Sequence, residues 1–144
     1  MSALSTFERS VLEALVRGDD PLLAVLSEQL CRAEVLDRTF TPAGCFVDLA
    51  LPPNVPLTSK HDFHVGDVHL ELEECDHGAA AILFVHQGLM SFLELVAYVG
   101  EWPGNPTLRS IRYLSSGDLR EERDLTEFRR QAFANELAIR SGLT

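Results

Sequence analysis

The sequence predicts an α+β fold: two N-terminal helices packed on a mainly antiparallel sheet of about six strands, with a further helix at the C-terminus. Three observations predict it. Apolar residues recur at helical spacing from Phe7 to Leu30, and the period drops to two from Val35 onward. Two apolar runs then meet at Gln87-Gly88, the spacing of a β-hairpin. A chain of 144 residues is the usual length of one domain and buries a core without disulfides or metal.

Ser5-Thr6-Phe7-Glu8 has the form of a capping box, in which the Ser5 hydroxyl and the Glu8 carboxylate satisfy orphan backbone donors. Phe7, Val11, Ala14 and Leu15 continue the first helix, and Gly18 ends it. Asp20-Pro21 starts the second, whose apolar face is Leu22, Val25, Leu26 and Leu30. Residues 34–41 read as a strand, Thr41-Pro42-Ala43-Gly44 as a turn, and 45–51 as a second strand. Pro52, Pro53 and Pro56 make 52–66 a loop or an irregular edge. Val68, Leu70 and Leu72 alternate with His69, Glu71 and Glu73, a strand with one face in water, and Asp76-His77-Gly78 turns the chain. Ala79–Val85 lacks polar alternation and reads as a central strand covered on both faces. Residues 89–99 also fit a helix, through Leu89, Phe92, Leu93 and Val96, but the two-residue gap after a strand favours the hairpin. A Trp/Pro/Gly loop over 101–106 leads to a strand at 108–114. Residues 1–117 thus form one α+β domain. The tail, 118–144, reads as a charged helix with Leu125, Phe128, Ala132 and Ile139 on one face, capped by Asp124 and packed on the domain or on a partner.

The formal net charge is −10. Residues 1–108 hold five basic and sixteen acidic side chains, whereas 109–144 hold seven and six, so the acidity belongs to the main body. That balance opposes phosphate and anionic membranes and favours solubility or a basic partner; no basic stripe for nucleic acid is present. Cys31, Cys45 and Cys75 are odd in number and contain no C-x-x-C pair, which fits core thiols in a reducing compartment. MSALSTFERS has no basic region leading into an apolar core, so it is not a signal peptide. No apolar run reaches the roughly 18–20 residues that span a bilayer. The expected location is cytoplasmic.

Gly78, Leu83-Phe84-Val85, Gly88-Leu89, Leu93-Glu94, Tyr98 and Trp102-Pro103 form a hairpin pattern. It resembles one found in small uncharacterised bacterial single-domain proteins, and similar hairpins occur in immunity-like proteins encoded beside bacterial toxins. TFERSVLEALVRGDDPLLAVLSEQL, Pro52-Pro53 and Gly66-Asp67-Val68 are similar to the same group, so the resemblance spans roughly residues 5–114. Met90 departs from it, standing where the pattern has Leu. The resemblance implies a core hairpin and no catalytic residue.

Four sets of residues are candidates for chemistry or binding. His61, Asp62, His64, Asp67 and His69 are the densest group of metal-ligand types, and His61-x-x-His64 has ligand-like spacing; solvated loop histidines are the simpler reading. Glu94 lies on the strand parity of Phe92, Val96 and Tyr98. It is either a desolvated acid–base group with His86 across the hairpin or a structural acceptor for Tyr98, an Arg or loop backbone. Glu71, Glu73, Glu74 and Asp76 make an acidic edge that docks a basic partner or only protects a strand from aggregation. Trp102 either anchors an interface or packs across the sheet. G-x-S-x-G, P-loop, G-x-G-x-x-G and H-E-x-x-H motifs are all missing from the sequence. The favoured expectation is a non-enzymatic acidic protein-binding domain without cofactor, immunity-like, acting on a basic protein partner or self-associating as a homodimer. The rival is a small metal-dependent or carboxylate/histidine hydrolase.

Overall fold

The structure is a computed structural model and describes residues 1–134. Helices α1 (Thr6–Leu15) and α2 (Pro21–Leu30) precede seven strands: β1 (Glu34–Phe40), β2 (Gly44–Ala50), β3 (Phe63–Leu72), β4 (Cys75–His86), β5 (Leu89–Ala97), β6 (Leu108–Ser115) and β7 (Asp118–Arg120). Helix α3 (Leu125–Ala132) follows. The strands form one antiparallel sheet in the order β1-β2-β5-β4-β3-β6-β7. The α+β class and both N-terminal helices are as the sequence predicts, and the sheet has one strand more.

Each N-terminal helix starts where its capping chemistry lies. Ser5 Oγ accepts the Glu8 N–H at 3.0 Å, and Glu8 Oε1 accepts the Ser5 N–H at 2.9 Å. Asp20 accepts the Leu22 N–H at 2.9 Å, with Pro21 at the first helical position. Val11, Leu12 and Leu15 of α1 and Leu23 and Leu26 of α2 lie fully buried against one sheet face. At about 1.5–3 kcal/mol for each buried aliphatic side chain, this layer is the main source of stability. The strand positions facing it include Val47, Leu93, Leu83, Val65 and Leu70, all buried.

The β4–β5 hairpin turns through Gln87 (φ 52) and Gly88 (φ 81), the left-handed pair that matches strand twist. Residues 89–97 are therefore strand and not helix. Gly88 is also hemmed in: a Cβ there would lie 3.0 Å from Leu57 Cβ and 3.3 Å from the Thr58 carbonyl oxygen.

Several expectations are corrected. The β3–β4 turn is at Glu73-Glu74, not Asp76–Gly78, and β3 begins at Phe63, inside the segment read as loop. Gly78 is glycine for another reason: at φ +78 it lies beneath His69, where a Cβ would come within 2.6 Å of the imidazole. Among the described residues, strand β4 is covered by helices on one face only, because α1 and α2 both lie on the same side. Ala80, Ile82 and Phe84 stay half-exposed. Cys45 and Cys75 are buried thiols, but Cys31, at the end of α2, is exposed.

The tail is not helical from Asp118. Ser116 and Gly117 take positive φ and fold back a short strand, β7, so the helix starts only at Leu125 with Asp124 as its N-cap. Strand β6 pairs with β3 only over Val68–Leu72, leaving the first half of β3 without a ladder partner on that side; α3 packs there, sinking Phe128 and Ala132 into the common core. The expected continuation of the helix, Ile139 included, lies outside the described residues. Among the described residues no helix is long and apolar enough to cross a membrane.

Candidate functional site

Register decides which of the predicted residues meet. Glu94 pairs with Ile82 on β4 and with Phe46 on β2, whereas His86 pairs with Leu89 at the far end of the hairpin. Glu94 and His86 are not brought together. The imidazole of His86 instead faces Asp62, Nδ1 to Oδ1 at 2.8 Å, and both side chains are exposed. Asp62 also accepts the Gln87 N–H at 3.1 Å. That backbone bond, with the His86 contact, holds its carboxyl below the ordinary range.

The histidines separate as well. His64 packs beside Phe84 with ring centroids 6.0 Å apart, and His69 stacks on Tyr98 at 5.6 Å. Burial lowers the His69 pKa, favouring the neutral ring. Asp67 turns away from both and is the fully buried partner of Arg123. Among the described residues, no group of three or more His, Cys, Asp or Glu side chains is placed to hold a metal ion.

The acidic edge lies at the β3–β4 turn. Glu71 is held by Arg112 at 3.2 Å, and Glu74 accepts the Thr107 N–H at 2.8 Å, a bond that lowers its pKa. Glu73 and Asp76 are exposed beside a polar cavity of about 260 Å³ that His69, His77 and Arg109 help to line. Trp102 is on the opposite side of the sheet, edge-on to Phe7 at 6.3 Å, where it borders a groove of about 180 Å³. The buried Glu8–Arg38 pair lies in that groove, with contacts of 2.7 and 2.8 Å. Burial alone would raise the Glu8 pKa, but the hydrogen bonds from Arg38 and from the Ser5 backbone outweigh it and leave it lowered.

The feature that sequence reading did not assemble is the open face of the sheet. Antiparallel partners share a face, so Asp37 and Asp48, Phe46 and Glu94, Asp48 and Phe92, and Phe84 and Phe92 all project to the side away from α1 and α2. Phe84 and Phe92 stack with centroids 4.5 Å apart, and Phe46 approaches Phe92 at 6.0 Å. The three rings form a row across β2, β5 and β4. All three remain half-exposed, as do Ile82 and Val96 beside them. The side chains of Asp48 and Glu94 make no hydrogen bond or ion pair among the described residues.

Like charges directly opposite each other destabilise a sheet, and Asp37 faces Asp48 in that way. Glu94 stands on the next diagonal, roughly 7–8 Å from Asp48 by strand geometry. Arg38, the basic residue of β1, points to the other face and is engaged by Glu8. The carboxylates Asp37, Asp48 and Glu94 thus alternate with aromatic rings, and none of the three forms an ion pair among the described residues. The signal was present in the outward parity of β2 and β5, each of which carries a Phe and an acid. Their pairing, which joins strands distant in sequence, was not. No protein-family model, curated protein or solved structure matches the chain.

Proposed function

We propose that this domain is a non-enzymatic protein-binding module that receives a basic protein partner on its open sheet face. The observation that carries the reading is the half-exposed row Phe46–Phe92–Phe84, interleaved with Asp48 and Glu94, which make no hydrogen bond or ion pair among the described residues. A contiguous apolar patch of this kind marks an interaction site more often than a bare surface. Charge at its margins selects the partner's sign and steers its approach. The acidic corner at Glu71, Glu73 and Asp76 extends the same negative field. The resemblance to immunity-like proteins favours a version in which the partner is a basic toxin and the module covers it.

The test compares capture by the wild-type protein, by Phe84→Ser/Phe92→Ser, and by Glu121→Gln/Glu122→Gln, with captured proteins identified by mass spectrometry. The expected partner has a marked excess of Lys and Arg, elutes at raised salt, disappears with the first variant and persists with the second. A partner retained equally by all three proteins, or one that is acidic, overturns the proposal.

A further inference from the structure

We infer that the open face recognises arginine in particular: a guanidinium seated over Phe46 and Phe92 and forked between Asp48 and Glu94. This rests on the docking reading above and adds the chemistry of what docks.

The argument begins with the checkerboard. Phe46 lies directly opposite Glu94, and Asp48 directly opposite Phe92, so rings and carboxylates occupy alternate corners of one four-residue square. A lysine ammonium is a strongly hydrated point charge that satisfies one carboxylate and gains little from a flat ring surface. A guanidinium is planar and weakly hydrated, stacks on aromatic faces, and carries five donors in a fork. Two carboxylates some 7–8 Å apart by strand geometry match opposite edges of such a fork.

The repulsion within the site adds direction. Asp37 faces Asp48, with Glu94 on the diagonal; none of the three is ion-paired among the described residues, and Arg112, on the same face, is bound to Glu71. Arg112 is on β6, three strands from β5, or roughly 14 Å at ordinary strand spacing. Relief of this strain therefore comes from outside the described residues. The flat, half-exposed geometry also suits an extended partner segment whose alternate side chains face the sheet, one arginine in the square and an apolar neighbour over Phe84 and Ile82.

The probe is a set of eight-residue peptide amides of alternating Arg and Val, with Lys or the neutral isostere citrulline replacing Arg. Each is titrated into the full ¹⁵N-labelled chain at low and at raised salt. The expected result is chemical-shift change centred on 46–48, 82–84 and 92–96. The Arg peptide is expected to bind at least about fivefold tighter than the Lys peptide, and the citrulline peptide not measurably. Asp48→Asn/Glu94→Gln should weaken the Arg peptide by about tenfold or more, while Glu121→Gln/Glu122→Gln, which removes the same charge from exposed positions after β7, changes it by less than about twofold. Equal binding of the Arg and Lys peptides on this face overturns the arginine inference and leaves the basic-partner reading standing. No binding of either peptide to the face overturns both. So does concentration-dependent shifting of the same residues without peptide, which would make a second copy the occupant, or contacts to the row from residues 135–144 of the chain itself.

Discussion

Replacing Arg123 with Met should be among the most damaging single changes in this protein. The guanidinium is 5 % exposed and grips the fully buried Asp67 with two bonds, of 2.9 and 2.6 Å. The same group donates to the Leu15 carbonyl at 2.8 Å and to that of Arg17, closing the C-terminal end of α1. It also lies over the rings of Tyr113 and Phe128, 5.2 Å from each. One side chain thus ties β3, β6, α1 and α3 together. Methionine keeps much of the volume but leaves Asp67 as a buried charge without a partner, a loss of about 3–5 kcal/mol. With an m value of about 2 kcal/mol/M, a 4 kcal/mol loss lowers the urea midpoint by about 2 M. Against a typical total of about 5–15 kcal/mol, the variant is marginal. The double variant Arg123→Met/Asp67→Leu removes the orphaned charge and should recover much of the loss. Urea unfolding followed by circular dichroism measures both. A single variant with its midpoint within about 0.3 M of wild type, or a double variant no more stable than the single, refutes the reasoning.

Three further outcomes are expected. Gln29→Leu severs the buried amide that donates to the Pro56 and Gly88 carbonyls and accepts the Met90 N–H, so it should cost about 2–4 kcal/mol; a thermal melt reads the loss, and faster amide exchange at Met90 locates it. Glu94→Gln should not show the roughly 1–2 kcal/mol loss expected of a structural hydrogen-bond acceptor. Glu94 has no hydrogen bond or ion pair to lose among the described residues, and easing its repulsion with Asp48 should leave the melting temperature unchanged or slightly raised; a clear drop would contradict the placement of Glu94 on an open face. The lowered Glu8 pKa gives stability that is fully present above the ordinary carboxyl value of 4.5 and is lost as pH falls through the lower folded value. Glu8→Gln should therefore flatten the pH dependence of the urea midpoint below that value, and an unaltered slope would count against it.

The elements themselves were legible in the sequence because their signals are local. A capping box at Ser5–Glu8, an Asp-Pro helix start at Asp20-Pro21, and a Gln87-Gly88 turn between apolar runs each involve residues within a few positions of one another. The class followed from them. Where a local signal had two physical origins, the reading slipped. Gly78 marks close approach of His69 and not a turn, and the charged stretch from Asp118 begins as a short strand, folded back by the Ser116-Gly117 turn, before its helix.

What only the tertiary structure decided is which faces and edges meet. The sequence shows Phe46, Asp48, Phe92 and Glu94 on outward parities, but β2 and β5 become neighbours through a sheet order that skips β3 and β4. No spacing along the chain encodes that adjacency, since it is set by the register of a long-range antiparallel pair. The same holds for Asp67. In sequence it sits among histidines as a possible metal ligand, and in the fold a bulge in β3 directs it to an arginine 56 residues away. Glu94 shows the limit most plainly. Its apolar surroundings were visible in the sequence, but whether they bury it depends on the layer above it, and both N-terminal helices pack on the other face.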